Sequence, residues 1–252
     1  MLFARPRGGL QVGKGLRMIP KLRRESVGCP AKILFISDLH LRPEHPEMAD
    51  TLIKACAGTE PDLVCLGGDM AEYDEGLEIC LQRLRQCFES VPILAVPGNN
   101  DDNRLGSDRE AQAELYRKYG AEYLLNDSRL LTVGDRRIRV AGIEDAYTHE
   151  PDFGGLFPPE EDAFRVLLAH EPLGILKDCA ADLCLCGHTH GGQINVLGLT
   201  CYLLLNYEKR FALLCLAGKK KIGRTTFLVS RGIGYSKYPI RFGARSEIHF
   251  VT

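Results

Sequence analysis

Two histidines separated by one residue lie in a glycine-rich segment, residues 187–193 (GHTHGGQ). Alternate side chains of an extended segment point the same way, so His188 and His190 can face one point. The neighbouring glycines allow the backbone to approach that point closely. Imidazole is a common metal ligand, and the segment therefore indicates a metal site if other ligands accompany it.

Four further segments carry side chains that can bind a metal. They are DLH at 38–40, GGD at 67–69, GNND at 98–101 and AHEP at 169–172. Like the His-Thr-His segment, each follows an apolar run of strand length or lies within a few residues of one. In open α/β sheets, ligands gather at the carboxyl ends of the strands. The five strand-end loops therefore predict a single site, formed by Asp38, His40, Asp69, Asn99, His170, His188 and His190.

The candidate ligands are carboxylates, imidazoles and one amide oxygen. This set suits Mn²⁺, Fe²⁺ or Zn²⁺ better than Ca²⁺, and without thiolates it does not resemble a structural zinc site. Seven ligands are too many for one tetrahedral ion but fit two ions that share a carboxylate. Two ions about 3.5–4 Å apart can convert a bridging water to hydroxide and neutralise a phosphoryl group during in-line displacement. The residues predict a dinuclear hydrolase, with Mn²⁺ as the first choice of metal.

Short apolar runs alternate with helical patterns along the first half of the chain. The predicted strands there are 32–37, 62–66 and 92–96, and the predicted helices are 47–57, 74–89 and 108–119. A hairpin is predicted at 129–133 and 136–141 because Gly134-Asp135 joins two alternating segments. Further strands are predicted at 166–169, 183–186, 200–205, 211–216, 225–230 and 247–251, with a short helix around 173–178. The pattern predicts an α/β fold with two packed mixed sheets flanked by helices, a four-layer α/β/β/α sandwich.

The composition favours one large domain. The chain has 252 residues, of which 45% are hydrophobic, enough to bury a substantial core. We expect a single domain over 31–252, preceded by an irregular leader over 1–30. The formal net charge of −1, from 32 basic and 33 acidic side chains, gives no global signature of nucleic-acid binding.

The expected leader is rich in positive charge. Its basic side chains, set against the single acidic residue Glu25, are Arg5, Arg7, Lys14, Arg17, Lys21, Arg23 and Arg24. Each such charge contributes about 1 kcal/mol close to an anionic lipid surface, so peripheral membrane contact is one interpretation. A solvated or partly ordered leader is the other, and we favour it.

Ten cysteines lie mostly inside apolar runs, as Cys65, Cys184 and Cys186 do. Free cysteine behaves as a small buried hydrophobe. The N-terminus lacks an apolar signal core, and no apolar stretch reaches the length needed to cross a bilayer. We therefore expect free thiols and a cytoplasmic location.

In combination, the five blocks make residues 32–252 similar to the calcineurin-like metallophosphoesterases, in which D-x-H, G-G-D, G-N-x-D, A-H-E-P and G-H-T-H-G-G-Q occur in this order. The resemblance implies a metal-dependent phosphoesterase whose metal-bridging hydroxide attacks the substrate in line. It implies that the first metal is held by Asp38, His40 and His190, the second by Asn99, His170 and His188, and that Asp69 bridges them.

Two segments near the C-terminus, residues 230–234 (SRGIG) and 239–242 (PIRF), resemble a bacterial branch of this family. That branch includes membrane-associated phosphodiesterases and enzymes that split UDP-diacylglucosamine. The resemblance implies a phosphodiester or pyrophosphate-linked substrate, either a phosphorylated small molecule or one linked to a lipid. Many relatives there carry an N-terminal membrane segment or export signal. This sequence shows neither, so we expect a cytoplasmic protein, peripheral at most at the inner membrane face.

The residue after Asn99 departs from the family pattern. Most members have a histidine there that is thought to protonate the leaving oxygen, whereas this chain has Asn100. An amide does not titrate near neutral pH, and general acid catalysis typically contributes about 10²–10⁴-fold. We therefore expect leaving groups that need little protonation, or another donor such as His149 or His45.

Further site roles are expected for four residues. Asp69 and Asn100 are the catalytic candidates, and Asn100 can also hydrogen-bond a phosphoryl oxygen. Arg231 and Arg241 are candidates for binding phosphate, because guanidinium pairs with phosphate oxygens in a bidentate manner, although a salt bridge is an equal alternative for each.

Two other functions are open. A catalytically weak scaffold on the same fold would be expected to have lost several metal histidines, and this chain keeps all of them. A nuclease of the same superfamily would show a basic track and added nucleic-acid-binding segments, and neither is evident outside the leader. No protein partner is predicted.

Overall fold

Two six-stranded mixed sheets form the centre of the molecule. The computed structural model describes residues 11–12, 19–104, 108–146, 148–172, 180–196, 199–200, 216–236 and 239–252. With strands numbered along the chain, the spatial order of the first sheet is β2 (Lys21–Glu25), β16 (Glu247–Val251), β3 (Ile33–Ile36), β4 (Leu63–Leu66), β5 (Ile93–Ala95) and β6 (Ala121–Tyr123). Strands β3 to β6 run parallel, while β16 runs antiparallel to β3 and parallel to β2.

The second sheet has four parallel strands between two antiparallel edges. Its spatial order is β13 (Gly218–Ile222), β14 (Thr225–Val229), β10 (Leu183–Cys186), β9 (Phe164–Ala169), β8 (Arg136–Gly142) and β7 (Asp127–Val133). Two short pairs lie outside these sheets: β1 (Gln11–Val12) with β15 (Ile240–Arg241), and β11 (Asn195–Val196) with β12 (Leu199–Thr200).

The two sheets share a buried apolar layer. Successive side chains of a strand point to opposite faces, so β3 sends Ile33 and Phe35 into this layer and Leu34 and Ile36 to the other face. Leu185 of the second sheet joins the same layer. Central strands buried on both faces are apolar throughout, which is why their sequences show no alternation.

Helices cover the outer face of the first sheet. Helices α1 (Glu47–Cys56), α2 (Asp74–Cys87) and α4 (Arg109–Lys118) each bury side chains against it, and the short helix α3 (Asn99–Arg104) follows β5. On the outer face of the second sheet, the apolar side chains pack against Phe153, Leu156 and Phe157.

The predicted fold of two mixed sheets flanked by helices is confirmed. Predicted elements that fall on described residues begin and end within two residues of the observed ones, as for the helix predicted at 74–89. The helix expected around 173–178 lies outside the described residues, as do most residues of the strands expected at 200–205 and 211–216. Among the described helices, none combines the length and apolar character needed to cross a membrane.

The expected irregular leader, residues 1–30, contains a strand of the first sheet. Strand β2 pairs in parallel with β16 over its whole length, and Arg23 contacts Glu247 at 2.9 Å. The sequence KLRRE lacks apolar alternation. An edge strand is stabilised by backbone pairing with its single neighbour, so it tolerates charged side chains. Residues 21–25 therefore belong to the sheet and not to an irregular leader.

Candidate metal centre

Five loops bring the predicted ligands to one place, at the carboxyl ends of strands of both sheets. The loops after β3, β4 and β5 carry ligands from the first sheet, and those after β9 and β10 carry ligands from the second. In that order the side chains are Asp38, His40, Asp69, Asn99, His170, His188 and His190. The site therefore lies where the carboxyl edges of the two sheets meet.

One group of donors consists of Asp38, His40 and His190. All three residues are buried, and one potential ligand atom of each lies within 4.8 Å of the others. His190 Nε2 is 3.2 Å from His40 Nε2 and 3.5 Å from Asp38 Oδ1. This group can hold one ion.

A second group consists of Asn99, His170 and His188. Asn99 Oδ1 is 2.9 Å from His188 Nδ1 and 3.2 Å from His170 Nε2, and the two imidazole nitrogens are 3.3 Å apart. Neighbouring ligands on an ion with bonds of about 2.1 Å are themselves about 3.0–3.4 Å apart. The spacing of this group is close to that of ligands around one ion.

Asp69 lies between the two groups. Its Oδ2 is 3.4 Å from His170 Nε2 and 3.7 Å from His40 Nε2. Both of its carboxylate oxygens also accept hydrogen bonds from Asn100: the backbone N–H donates to Oδ1 at 2.9 Å and the side-chain amide to Oδ2 at 2.6 Å. In this arrangement Asn100 orients the carboxylate that both groups share.

The buried charges of the site call for a cation. Burial raises the pKa of Asp38, and burial together with the charge of Asp69 raises the pKa of Asp101 to about 7. Burial disfavours the charged form of His170, but the adjacent carboxylates of Asp69 and Asp38 outweigh it and hold the pKa of His170 well above its usual value. Buried charges are stable only when they are paired or bind metals, and divalent ions would supply the positive charge that His170 supplies here.

Two of the ring orientations are those of metal-binding histidines. His40 Nδ1 lies 2.8 Å from Glu72 Oε1, and His170 Nδ1 lies 2.7 Å from the carbonyl oxygen of Gly67. Each acceptor fixes the proton on Nδ1 and leaves Nε2 facing the site, as is usual for such ligands. Burial lowers the pKa of His40 and, with the charge of His170, lowers that of His188 to about 3, so both rings are neutral.

Backbone strain is concentrated at this site. Seven described residues other than glycine have positive φ, and five of them are predicted ligands: Asp38 (52°), His40 (49°), Asp69 (53°), His188 (67°) and His190 (49°). Such conformations cost about 1–3 kcal/mol each and persist where the surrounding structure enforces them. At Gly98 the chain itself approaches a ligand so closely that an added Cβ would collide with Asp69 Oδ1.

The structure separates the two arginines that we expected to bind phosphate. Arg231 is 28% exposed at its side chain and donates to Glu247 Oε2 at 2.7 Å. Arg241 is 1% exposed, and its guanidinium bonds to backbone carbonyls and to His190, so its role in binding phosphate stays a prediction. The PIRF motif is short, and the residues beside its arginine are apolar. The sequence therefore did not indicate that this arginine contacts His190.

Two acidic residues orient parts of the site. Asp101 joins two loops of the site: its Oδ2 accepts hydrogen bonds from the backbone N–H groups of Gly98 and Asp69, at 2.7 and 3.0 Å. Glu72, the partner of His40, was missed by sequence reasoning, since no motif marks it. The only signal is an acidic residue directly after the apolar pair Met70-Ala71.

The alternative proton donors lie at the surface. His149 is exposed and its Nδ1 is 3.3 Å from Arg109 Nη2, while His45 Nδ1 is 3.2 Å from Glu47 Oε1. No described contact joins either ring to a predicted ligand. The role of His149 or His45 as an acid therefore stays a prediction.

Comparison with known proteins gives a consistent family match. A model of the family described as calcineurin-like phosphoesterase matches residues 31–192. Phosphodiesterase YaeI of Escherichia coli is 30% identical over 228 residues, which cover 87% of this chain and 80% of that protein. The uncharacterized metallophosphoesterase YkuE of Bacillus subtilis is 30% identical over 229 residues, covering 88% and 78%. Among solved structures, a phosphopantetheinyl hydrolase from Mycobacterium tuberculosis has a TM-score of 0.48 and 13% identity, covering 86% of this chain and 95% of that one.

Proposed function

The chain belongs to the calcineurin-like phosphoesterase family and is a metal-dependent phosphoesterase, and from this premise we propose that it cleaves phosphodiesters or pyrophosphate-linked substrates with two divalent ions. The observation that carries the proposal is that one carboxylate oxygen, Asp69 Oδ2, lies 3.7 Å from His40 Nε2 of one donor group and 3.4 Å from His170 Nε2 of the other.

We assign the first ion to Asp38, His40 and His190 and the second to Asn99, His170 and His188, with Asp69 shared between them. Oxygen and imidazole ligands without thiolates favour Mn²⁺, with Fe²⁺ or Zn²⁺ as alternatives. When bound, such ions acidify water and offset the charge of a phosphoryl group. The spacing of the donor atoms at 2.9–3.7 Å supports this division.

The remaining catalytic contributions come from the chain itself. Glu72 and the Gly67 carbonyl hold His40 and His170 with Nε2 toward the site. Asn100 orients Asp69 and can donate to a phosphoryl oxygen, but it has no titratable proton to give to a leaving group. The proposed enzyme therefore prefers substrates whose leaving oxygen is stable as an anion. Arg231, partly exposed, is kept as a candidate for phosphate binding.

The proposed substrate class rests on the similarity to a relative. The similarity to a protein named a phosphodiesterase favours a diester, either a phosphorylated small molecule or a lipid-linked one.

A cytoplasmic location with peripheral contact at an anionic membrane is also part of the proposal. It rests on the buried thiols, such as Cys65 and Cys184, and on the basic side chains of β2.

Metal analysis combined with hydrolysis of a chromogenic aryl phosphodiester and the matching monoester tests this function. We expect two Mn²⁺ per chain, Mn²⁺-dependent hydrolysis, and a faster reaction with the diester. Asp69→Asn should lower kcat/KM by roughly 10³-fold, as when several kcal/mol of transition-state stabilisation are lost. Asp50→Asn, which removes an exposed carboxylate paired with Arg83, is the matched control and should change neither metal content nor rate.

The alternatives predict different outcomes. A protein without bound metal and without Mn²⁺-dependent hydrolysis would be a scaffold. Hydrolysis of single-stranded nucleic acid at a higher kcat/KM than any small diester would identify a nuclease. Either result overturns the proposal.

A further inference from the structure

Helix α4 buries a glutamine on the face that packs against the first sheet. Gln112 is 3% exposed, and Tyr116, one turn later, is buried on the same face. An amide in such a place costs free energy unless its polar atoms are hydrogen-bonded. The contacts of Gln112 therefore indicate what an amide contributes at this position.

The amide of Gln112 connects α3 with β6. Its Nε2 donates to the carbonyl oxygen of Asp101 at 3.2 Å, and its Oε1 accepts from the Tyr123 hydroxyl at 2.8 Å. A guanidinium N–H of Arg109 also donates to Oε1, at 3.4 Å. Because a carbonyl only accepts and a guanidinium only donates, a single orientation of the amide satisfies both partners.

The carbonyl that Gln112 binds is one that α3 cannot satisfy within itself. The last four carbonyls of an α-helix have no partner inside the helix, and in the six-residue α3 these belong to residues 101–104. A helix this short is also marginal unless the surrounding structure supports it. The hydrogen bond from Gln112 therefore anchors α3 to α4.

Helix α3 begins with two residues of the site, Asn99 and Asn100. Asn100 donates to both carboxylate oxygens of Asp69, and the side chain of Asp101 accepts from the backbone N–H of Asp69 at 3.0 Å. Gln112 binds the same Asp101 at its backbone carbonyl. A shift of α3 would therefore move both asparagines relative to Asp69.

We propose that Gln112 is a positioning residue, which holds α3 where Asn100 can orient the carboxylate of Asp69. The part of this inference that concerns the reaction rests on the proposed function. Gln112 acts through the carbonyl of Asp101 and not on the substrate. Its loss should therefore loosen Asn100 and slow the reaction.

Three variants separate positioning from stability. Gln112→Met keeps an unbranched side chain of similar size and removes both polar atoms. Tyr123→Phe removes the hydroxyl that binds Oε1 and keeps the ring that stacks on Tyr116, with the ring centroids 4.6 Å apart. Thr225→Val is the matched control, because the buried Thr225 hydroxyl also donates to a backbone carbonyl, that of Ala181, at 2.7 Å. Strand β14 runs parallel to β10, so Thr225 at its start lies at the opposite edge of the sheet from the site.

The first readout is amide hydrogen exchange in the protein as purified, which needs no substrate. The backbone N–H of Asn100 donates to Asp69 Oδ1, and that of Asp101 to the carbonyl of Gly98. Gln112→Met should speed the exchange of these two amides by roughly 3–10-fold, about the effect of one lost hydrogen bond. Tyr123→Phe should have a smaller effect in the same direction. Thr225→Val should leave both amides unchanged even if it lowers the Tm.

The second readout is steady-state hydrolysis of the aryl phosphodiester at saturating Mn²⁺. Gln112→Met should lower kcat by roughly 10–100-fold with a smaller change in KM, because a misplaced catalytic group costs rate more than binding. Combining Gln112→Met with Tyr123→Phe should cost no more than Gln112→Met alone, since the hydroxyl acts through the amide. Thr225→Val should keep the native kcat.

Native exchange at Asn100 and Asp101 in folded Gln112→Met would overturn the proposal, and so would a kcat that falls no further than in Thr225→Val. If Gln112→Met does not fold, Tyr123→Phe decides by the same two measurements. If the native chain hydrolyses no diester, the proposed function fails, and hydrogen exchange still decides whether Gln112 holds α3 in place.

Discussion

At the scale of the residue, Asn100 lies against the carboxylate of Asp69. Its backbone and side-chain N–H groups both donate to Asp69, so in this structure the residue serves the shared carboxylate. A histidine at this position could give a proton to a leaving group, and an amide cannot. The substrate preference of the enzyme should therefore depend on the basicity of the leaving oxygen.

Asn100→His should make the rate less dependent on the leaving group. With aryl phosphodiesters of graded leaving-group pKa, the native chain should slow steeply as that pKa rises. The histidine variant should gain on the poorest leaving groups by up to about 10²–10⁴-fold, because it supplies the missing acid. Asn100→Ala separates this gain from the loss of the amide. A native rate that ignores leaving-group pKa, with no change in Asn100→His, would contradict the idea.

At the scale of the element, β16 holds the C-terminal loop of the site through one carboxylate. Glu247 is 1% exposed and contacts Arg231 at 2.7 Å and Arg23 of β2 at 2.9 Å. Burial opposes its ionisation, but the contact with His249 and the charges of Arg231 and Arg23 outweigh burial and lower the pKa of Glu247 to about 2. The charged carboxylate thus ties β2, β16 and the loop at Arg231 together.

Glu247→Gln should destabilise the protein in a pH-dependent manner. The folded pKa lies below the unfolded value of about 4.3, so the stabilisation is present above that pH and is lost as the pH falls toward 2. At pH 7 the variant should lose about 3 kcal/mol of the free energy of unfolding in urea, and the difference should shrink below pH 4. Glu110→Gln, at an exposed pair with Arg117, should change little. A pH-independent difference for Glu247→Gln would show that charge is not its cause.

At the scale of the whole molecule, two basic edge strands lie on the same side of the sandwich. β2 and β13 are the edges of different sheets, and Lys219 of β13 donates to the carbonyl of Ser26, directly after β2. The exposed residues Lys21, Arg24, Lys220 and Lys221 belong to these strands. Lysines on an edge discourage pairing with other chains, and their charge also suits an anionic membrane surface.

Binding to phosphatidylcholine vesicles that contain phosphatidylserine tests the proposed membrane contact. Lys21→Gln, Lys220→Gln and Lys221→Gln combined should weaken binding by roughly 10²-fold, at about 1 kcal/mol per charge, and added salt should do the same. The control combines Arg83→Gln, Arg117→Gln and Lys118→Gln, which removes equal charge from exposed helix positions. Equal losses in both variants would show an effect of net charge only. Absence of binding in the native chain would contradict the membrane contact and favour the alternative, basic strands exposed to solvent.

Much of the fold could be predicted because its central strands are buried on both faces. Continuous apolar runs of strand length, such as 183–186, are typical of central strands. The helices between the strands were predicted from the amphipathic spacing of their apolar residues. The strands of the two six-stranded sheets that were missed, β2, β6 and β13, are all edge strands, and two of them are strongly charged. Their stability comes from backbone pairing with a partner distant in sequence, which side-chain patterns do not reveal.

The sequence by itself determined the set of donor side chains and their place at strand ends, because the spacing of His188 and His190 and the blocks before them are local properties. The tertiary structure decided what surrounds the donors. Arg241 reads as a surface arginine that could clamp phosphate, yet it is buried against a histidine 51 residues earlier in the chain. Only the fold brings together the backbone carbonyls that accept hydrogen bonds from the Arg241 guanidinium and so offset the free-energy cost of its burial. The same fold places this guanidinium against the ring of His190.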